Sequence, residues 1–356
     1  MFLPALLSAV LFASSGARPA PEPYLAVRTG LKCSACHVNR SGGGGRTAYG
    51  SIYAQTQLAR ARGTVRNRAL NDVLAVGWDV RTLVSGVVAD HDARSPRSAI
   101  ELGEANVYTE ARLIERVAAL YFDETLGPGP AGIREAFGLL DLPLNGYVKA
   151  GKFLLPYGLR LQDDAEFIRA QTGFSYKTPD QGLEVGFEPG SLSFFVAVSD
   201  GTAGAAEDND GKQVTSTLAV VRRRFRLGGS ASRNQGSGLA RRDVVGGFGG
   251  LAAGRLTLLG ELDRITERSA SGTERKQLAG YVEGDFLATT GVNAKVTYGY
   301  FDKNLDVAEN QRVRLRLGLE LFPNGFVRVA AFYTADLWIP QAKTPDRLSL
   351  ELHLHF

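Results

Sequence analysis

The chain has 356 residues, 41 Lys and Arg against 37 Asp and Glu, and a formal net charge of +4. This mild basic balance comes with no nucleic-acid recognition motif, so nucleic acid is not an expected partner. The length allows two domains, but no internal linker follows the first seventy or so residues.

Phe2 to Ala13 is an apolar run with the length of a signal-peptide core, too short to span a bilayer. Small residues from Ala13 to Ala17 follow, and Pro19, Pro21 and Pro23 stop any helix. Residues 1–20 are therefore expected to be a secretory leader, cleaved near Ala17 or Ala20. Its start lacks Lys and Arg, and a buried N-terminal helix is the alternative. No other stretch approaches the ~20 apolar residues of a transmembrane helix.

Cys33-Ser34-Ala35-Cys36-His37 contains the only two cysteines, with a histidine directly behind them. This is the spacing of a c-type haem attachment site. Two thiols one helical turn apart can add to the vinyl groups along one porphyrin edge, and the next imidazole then ligates the iron. Cys33 and Cys36 are thus the expected covalent anchors of one haem c, and His37 its proximal iron ligand. The alternative is a disulfide or thioredoxin-like redox pair, but no βαβ pattern surrounds the motif.

Residues 21–68 make up this haem segment, too small to bury much surface alone; a covalent porphyrin would staple it. Gly42 to Gly45 is expected to form a tight loop near the haem edge, and Thr47 to Arg62 a short amphipathic helix over one haem face. A mature chain without methionine cannot supply a His/Met haem. The other histidines are His91, His353 and His355, and His353 or His355 is the candidate for the distal position. Both would point inward near the end of the last strand, which closure sets beside the first.

From residue 69 to 356 the pattern has a period of two. The last segment places Leu348, Leu350, Leu352, Leu354 and Phe356 on one face, opposite Arg347, Ser349, Glu351, His353 and His355. Residues 104–113 and 312–322 alternate in the same way. About sixteen such segments occur, between Leu70–Val88 and Arg347–Phe356. Tight turns such as Pro189-Gly190 and Ala253-Gly254 alternate with longer polar connections such as 200–211 and 336–346. The expected fold is all-β: a transmembrane antiparallel β-barrel, apolar toward lipid and charged toward the lumen, with a small N-terminal haem segment. The longest connection, Leu155 to Gly182, is expected to fold inward. Trp78, Tyr147, Tyr300, Tyr333 and Phe356 suit interfacial girdles. Arg314 and Arg316 would either steer anions in the lumen or pair with Glu320, Glu351 and neighbouring carboxylates.

Gly151-Lys152-Phe153-Leu154-Leu155-Pro156-Tyr157-Gly158-Leu159 resembles a signature of phosphate-selective porins, and it too precedes the long third external loop. Leu25 to His37 resembles the leader of fused monohaem cytochrome–porins, which include outer-membrane iron oxidases. Only Tyr49-Gly50 echoes the Phe-Gly-Arg segment that follows the haem motif in that family. The resemblance implies electron transfer between periplasm and exterior, possible Fe(II) oxidation, and a bacterial outer-membrane location with periplasmic termini. Its implied partners are a periplasmic c-type cytochrome or other soluble carrier, extracellular Fe(II) or another electron acceptor, and outer-membrane lipid. An anion-selective porin whose haem segment only gates or senses is the rival.

Overall fold

A computed structural model describes residues 22–89, 98–207, 209–235, 240–338 and 346–356. The expected leader and His91 lie outside these. No helix among the described residues is long and apolar enough to cross a membrane.

Sixteen antiparallel strands run from β1 (Leu74–Ala89) to β16 (Asp346–His355) and close into a ring. Each strand pairs with its sequence neighbours, and β16 returns to β1 with Asp79 opposite His355 and Arg81 opposite His353. Closure leaves no unpaired strand edge, which hydrocarbon would not tolerate. The period-two alternation decides the faces. Leu348, Leu350 and Leu352 are exposed on the outside, whereas His353 and His355 are buried on the inside. β2 (Ser98–Ile114) behaves alike, with Asn106, Tyr108 and Glu110 buried in the lumen.

Two expected boundaries are corrected. β1 starts at Leu74 rather than Leu70, because Asn71 Oδ1 accepts the amides of Val73 (2.9 Å) and Leu74 (2.7 Å) and bends the chain into a turn. The helix expected over 47–62 is only α2 (Ala48–Tyr53), N-capped by Thr47 and continued by a π turn to Leu58. Beyond it, the amides of Arg60 and Ala61 donate to the carbonyls of Phe322 and Pro323 where β14 (Gln311–Asn324) turns into β15 (Val327–Trp338), which draws the chain straight. Tyr147 is not in a girdle either. It is fully buried in the lumen and donates its hydroxyl to Glu184, whereas Trp78 is exposed on the outer face.

Most of residues 22–59 pack inside the barrel at the end that carries the short turns, and 60–67 run exposed at its rim. The helix α1 preceding the cysteines (Pro23–Thr29) has Pro23 in its first turn and ends at Gly30, whose φ of 66° is the left-handed cap that favours glycine. It packs on the inner wall where Gly250 removes a side chain; a Cβ there would lie 2.6 Å from Val27. Polar contacts fasten the segment. Tyr24 donates to Glu320 (3.2 Å), Arg28 to Thr257 (3.1 Å), Asn39 to Glu135 (2.6 Å) and Arg68 to Glu110 (2.9 Å).

Beneath α1, Arg328 holds Glu320 (Nε to Oε1, 3.1 Å) and also pairs with Glu351. Removing one partner leaves buried charge unpaired. Arg328→Ala is expected to lower unfolding stability by about 3–5 kcal/mol, read as an earlier urea transition of the barrel in detergent micelles.

Candidate functional site

Cys33, Ser34 and Ala35 form a single 3-10 turn, and the amides of Cys36 (3.1 Å) and His37 (3.0 Å) both donate to the Cys33 carbonyl. No disulfide joins the two thiols, and both residues are half-buried. The chain then reverses through Gly42–Gly45. His37 pairs with Arg46 across the reversal, and Thr47 donates its amide to Cys36. Gly42, Gly43 and Gly44 have φ of 100°, 90° and 64°. A Cβ on Gly43 would stand 2.9 Å from the Tyr176 ring, and one on Gly44 2.5 Å from the Tyr121 hydroxyl, so this loop requires glycine.

His37 is buried and lines three cavities. One of about 60 Å³ is shared with both cysteines. Another of about 40 Å³ is shared with His353, His355 and Asp79. The third, about 750 Å³, opens at the short-turn mouth. The thiol pocket and the imidazole pocket meet at His37, Gly43 and Tyr176. His37 Nδ1 has no hydrogen-bond partner. Burial, reinforced by the Arg46 guanidinium, pushes the imidazole down to about 4, so the ring is neutral near pH 7.

Both remaining sequence candidates are here. The His353 and His355 rings lie 4.7 Å apart between centroids, tilted by 53°, and His353 Nε2 lies 2.9 Å from Asp79 Oδ2. Arg81, at 3.1 Å from the same oxygen, continues the contact to Glu104 at 2.6 Å. Asp79, Arg46 and Tyr176 were not singled out from sequence; pairing the first strand with the last would have found Asp79.

On the opposite side the imidazole pocket adjoins an outer vestibule of about 1210 Å³, the two having Arg81, Glu104, Arg134, Gln162 and Tyr176 in common. The connection after β5 (Gly146–Phe153) folds into the lumen as expected and forms part of this floor. Tyr157 donates to Asp263 (2.8 Å) and the Gly158 amide to Ser230 (3.0 Å). Gly158 has φ of 53°, and a Cβ there would collide with the Glu261 carboxylate. Arg314 and Arg316 are paired with carboxylates, but with Asp336 and Asp163 rather than Glu320 and Glu351. Among the described residues no group of three or more His, Cys, Asp or Glu side chains could hold a metal ion by itself.

Solved structures with this architecture are outer-membrane porins. OmpT of Vibrio cholerae, as its loop-L8 deletion mutant, superposes with a TM-score of 0.64 at 14% identity, over 80% of this chain and 99% of that one. An anion-selective porin from Comamonas acidovorans gives 0.63 at 11%, over 80% and 99%. Salmonella typhi OmpF, in complex with daunomycin, gives 0.59 at 14%, over 80% and 97%. The fold is a porin barrel. No protein-family model matches the sequence, and no curated protein does.

In the inward loop, Glu166 is buried and both its carboxylate oxygens lack partners. Burial, with Asp163 adding to it, pushes its carboxyl up to about 7. The folded value lies above the unfolded one, so the loop is favoured at acid pH and loses stability as pH rises through 7. Proteolysis within 154–179 should be faster at pH 8 than at pH 5.5, and Glu166→Gln should flatten that difference.

Proposed function

We propose that this protein is an outer-membrane electron-transfer barrel carrying one covalent haem c in its lumen. What carries the reading is the position of Cys33, Cys36 and His37, where the lumen narrows between vestibule and mouth. The donor set fits the group: two unjoined thiols in one turn, followed by a buried neutral imidazole with an unpartnered nitrogen.

When bound, haem supplies one-electron exchange at its iron. Cys33 and Cys36 would hold the macrocycle by thioethers and His37 would ligate it. Arg46, which makes no ion pair among the described residues and lines the pocket beyond the thiols, would take a propionate. The space at the thiols and imidazoles, about 60 and 40 Å³, is smaller than a macrocycle. Occupancy therefore requires the pocket to widen. Tyr176, on the inward loop, would stand between the site and the vestibule. A periplasmic c-type cytochrome or other soluble carrier would dock at the short-turn mouth, and Fe(II) or another extracellular redox partner would use the vestibule.

A second reading is an anion-selective porin whose N-terminal segment gates or senses. The fold likeness to solved porins favours it, as do the wide cavities at both ends. Against it stand Arg314 and Arg316, which are already paired with carboxylates, and the water-sized passage beside His37.

The test is a haem stain of the outer-membrane fraction on a denaturing gel, then stopped-flow mixing of the oxidised protein with Fe(II). The expected result is a haem-positive band at the mass of this protein, lost in Cys36→Ala, and reduction of the haem on mixing. A haem-free wild-type band overturns the proposal. Conductance of phosphate in reconstituted bilayers that ignores redox state would establish the second reading.

A further inference from the structure

We infer that His353, through Nδ1, is the sixth ligand of the iron, and that Asp79 is the residue that positions it. This rests on the haem reading above, but it is carried by separate observations.

The first is the hydrogen bond between His353 and Asp79. Their contact is 2.9 Å, from Nε2 to Oδ2. Asp79 is also held by Arg81 at 3.1 Å, a cation that favours the carboxylate form. A carboxylate only accepts, so Nε2 must carry the hydrogen. In the neutral ring the lone pair is then on Nδ1. That atom is buried and has no partner. A histidine that ligates a metal with one nitrogen usually donates the other N–H to a carboxylate, which fixes both tautomer and ring angle. His353 has that arrangement on this chain alone.

The second observation is place. His353 and His37 line the same small pocket, and this pocket joins the thiol pocket at Gly43 and Tyr176. Cys33, Cys36, His37 and His353 therefore line one continuous space, which has to widen to admit the group. His355 lines the pocket too and its Nδ1 is also unpartnered, but no carboxylate hydrogen bond orients it. The choice between the two histidines therefore falls on His353.

The test uses purified full-length protein in detergent, with visible and electron paramagnetic resonance spectra and redox titration. Wild type should be low-spin in both oxidation states. His353→Ala should turn the ferric iron high-spin, and added imidazole should restore the low-spin spectrum, which separates ligand loss from misfolding. His355→Ala should remain low-spin. Asp79→Asn should also remain low-spin but with a higher reduction potential, because an imidazole that loses its carboxylate partner is a weaker donor. The g values of the low-spin ferric iron should shift with it, a change in ligand-field strength that removal of a nearby charge alone would not produce.

A haem-bearing wild type that is high-spin overturns the assignment and leaves the electron-transfer reading standing. So does a low-spin His353→Ala protein without added imidazole. A wild type without haem overturns both.

Discussion

The pairing of β16 with β1 is the contact on which the rest of the molecule depends. In hydrocarbon every backbone amide and carbonyl needs a partner inside the protein, and sixteen strands supply them only when the last meets the first. That seam also decides the chemistry of the lumen. It sets His353 and His355 opposite Arg81 and Asp79, residues more than 270 positions away in sequence. Because the N-terminal segment leads directly into β1, the same closure brings the Cys33–His37 turn and the final strand to one pocket.

A sixteen-stranded ring encloses more space than its own inward side chains fill. Two pieces of chain occupy this one from opposite ends: residues 22–59 at the short-turn mouth and the long connection after β5 from the other side. They meet in a cluster that includes Tyr24, Leu25 and Tyr53 from the first and Leu159, Leu161, Phe167 and Ile168 from the second. Around that apolar centre the wall is charged, and the charges are compensated: Arg328 by Glu320 and Glu351, Lys149 by Glu184, Arg134 by Asp123. Such pairs add little net stability compared with an apolar filling, but losing one member is costly. The plug is positioned instead by its own bonds to this wall, Tyr24 to Glu320, Asn39 to Glu135 and Arg68 to Glu110.

Much of this was legible from periodicity. In Arg347–Phe356 the alternation is unbroken, and each side chain takes the face that the pattern assigns. The inward course of the connection after β5 and the tight glycine loop behind the cysteines were legible as well. What failed was local competition. Asn71 captured two amides and shortened β1, and the β14–β15 turn captured Arg60 and Ala61 and cut short the helix. The burial of Tyr147 is not legible in the same way, because aromatic character alone does not distinguish the two faces of a short strand.

By itself the sequence determined the strand alternation, the closed all-β architecture and the pairing of two thiols with an adjacent histidine. Those features depend on residues within one turn or one strand of each other, where a repeat of two or a spacing of three is sufficient. Only the tertiary structure decided that His37 shares a pocket with His353, that Asp79 holds His353 Nε2, and that Arg314 and Arg316 are already paired. Each of these is a contact between side chains distant in sequence. The register in which the barrel closes and the path of the plug through the lumen decide them, and neither leaves a local mark in the chain.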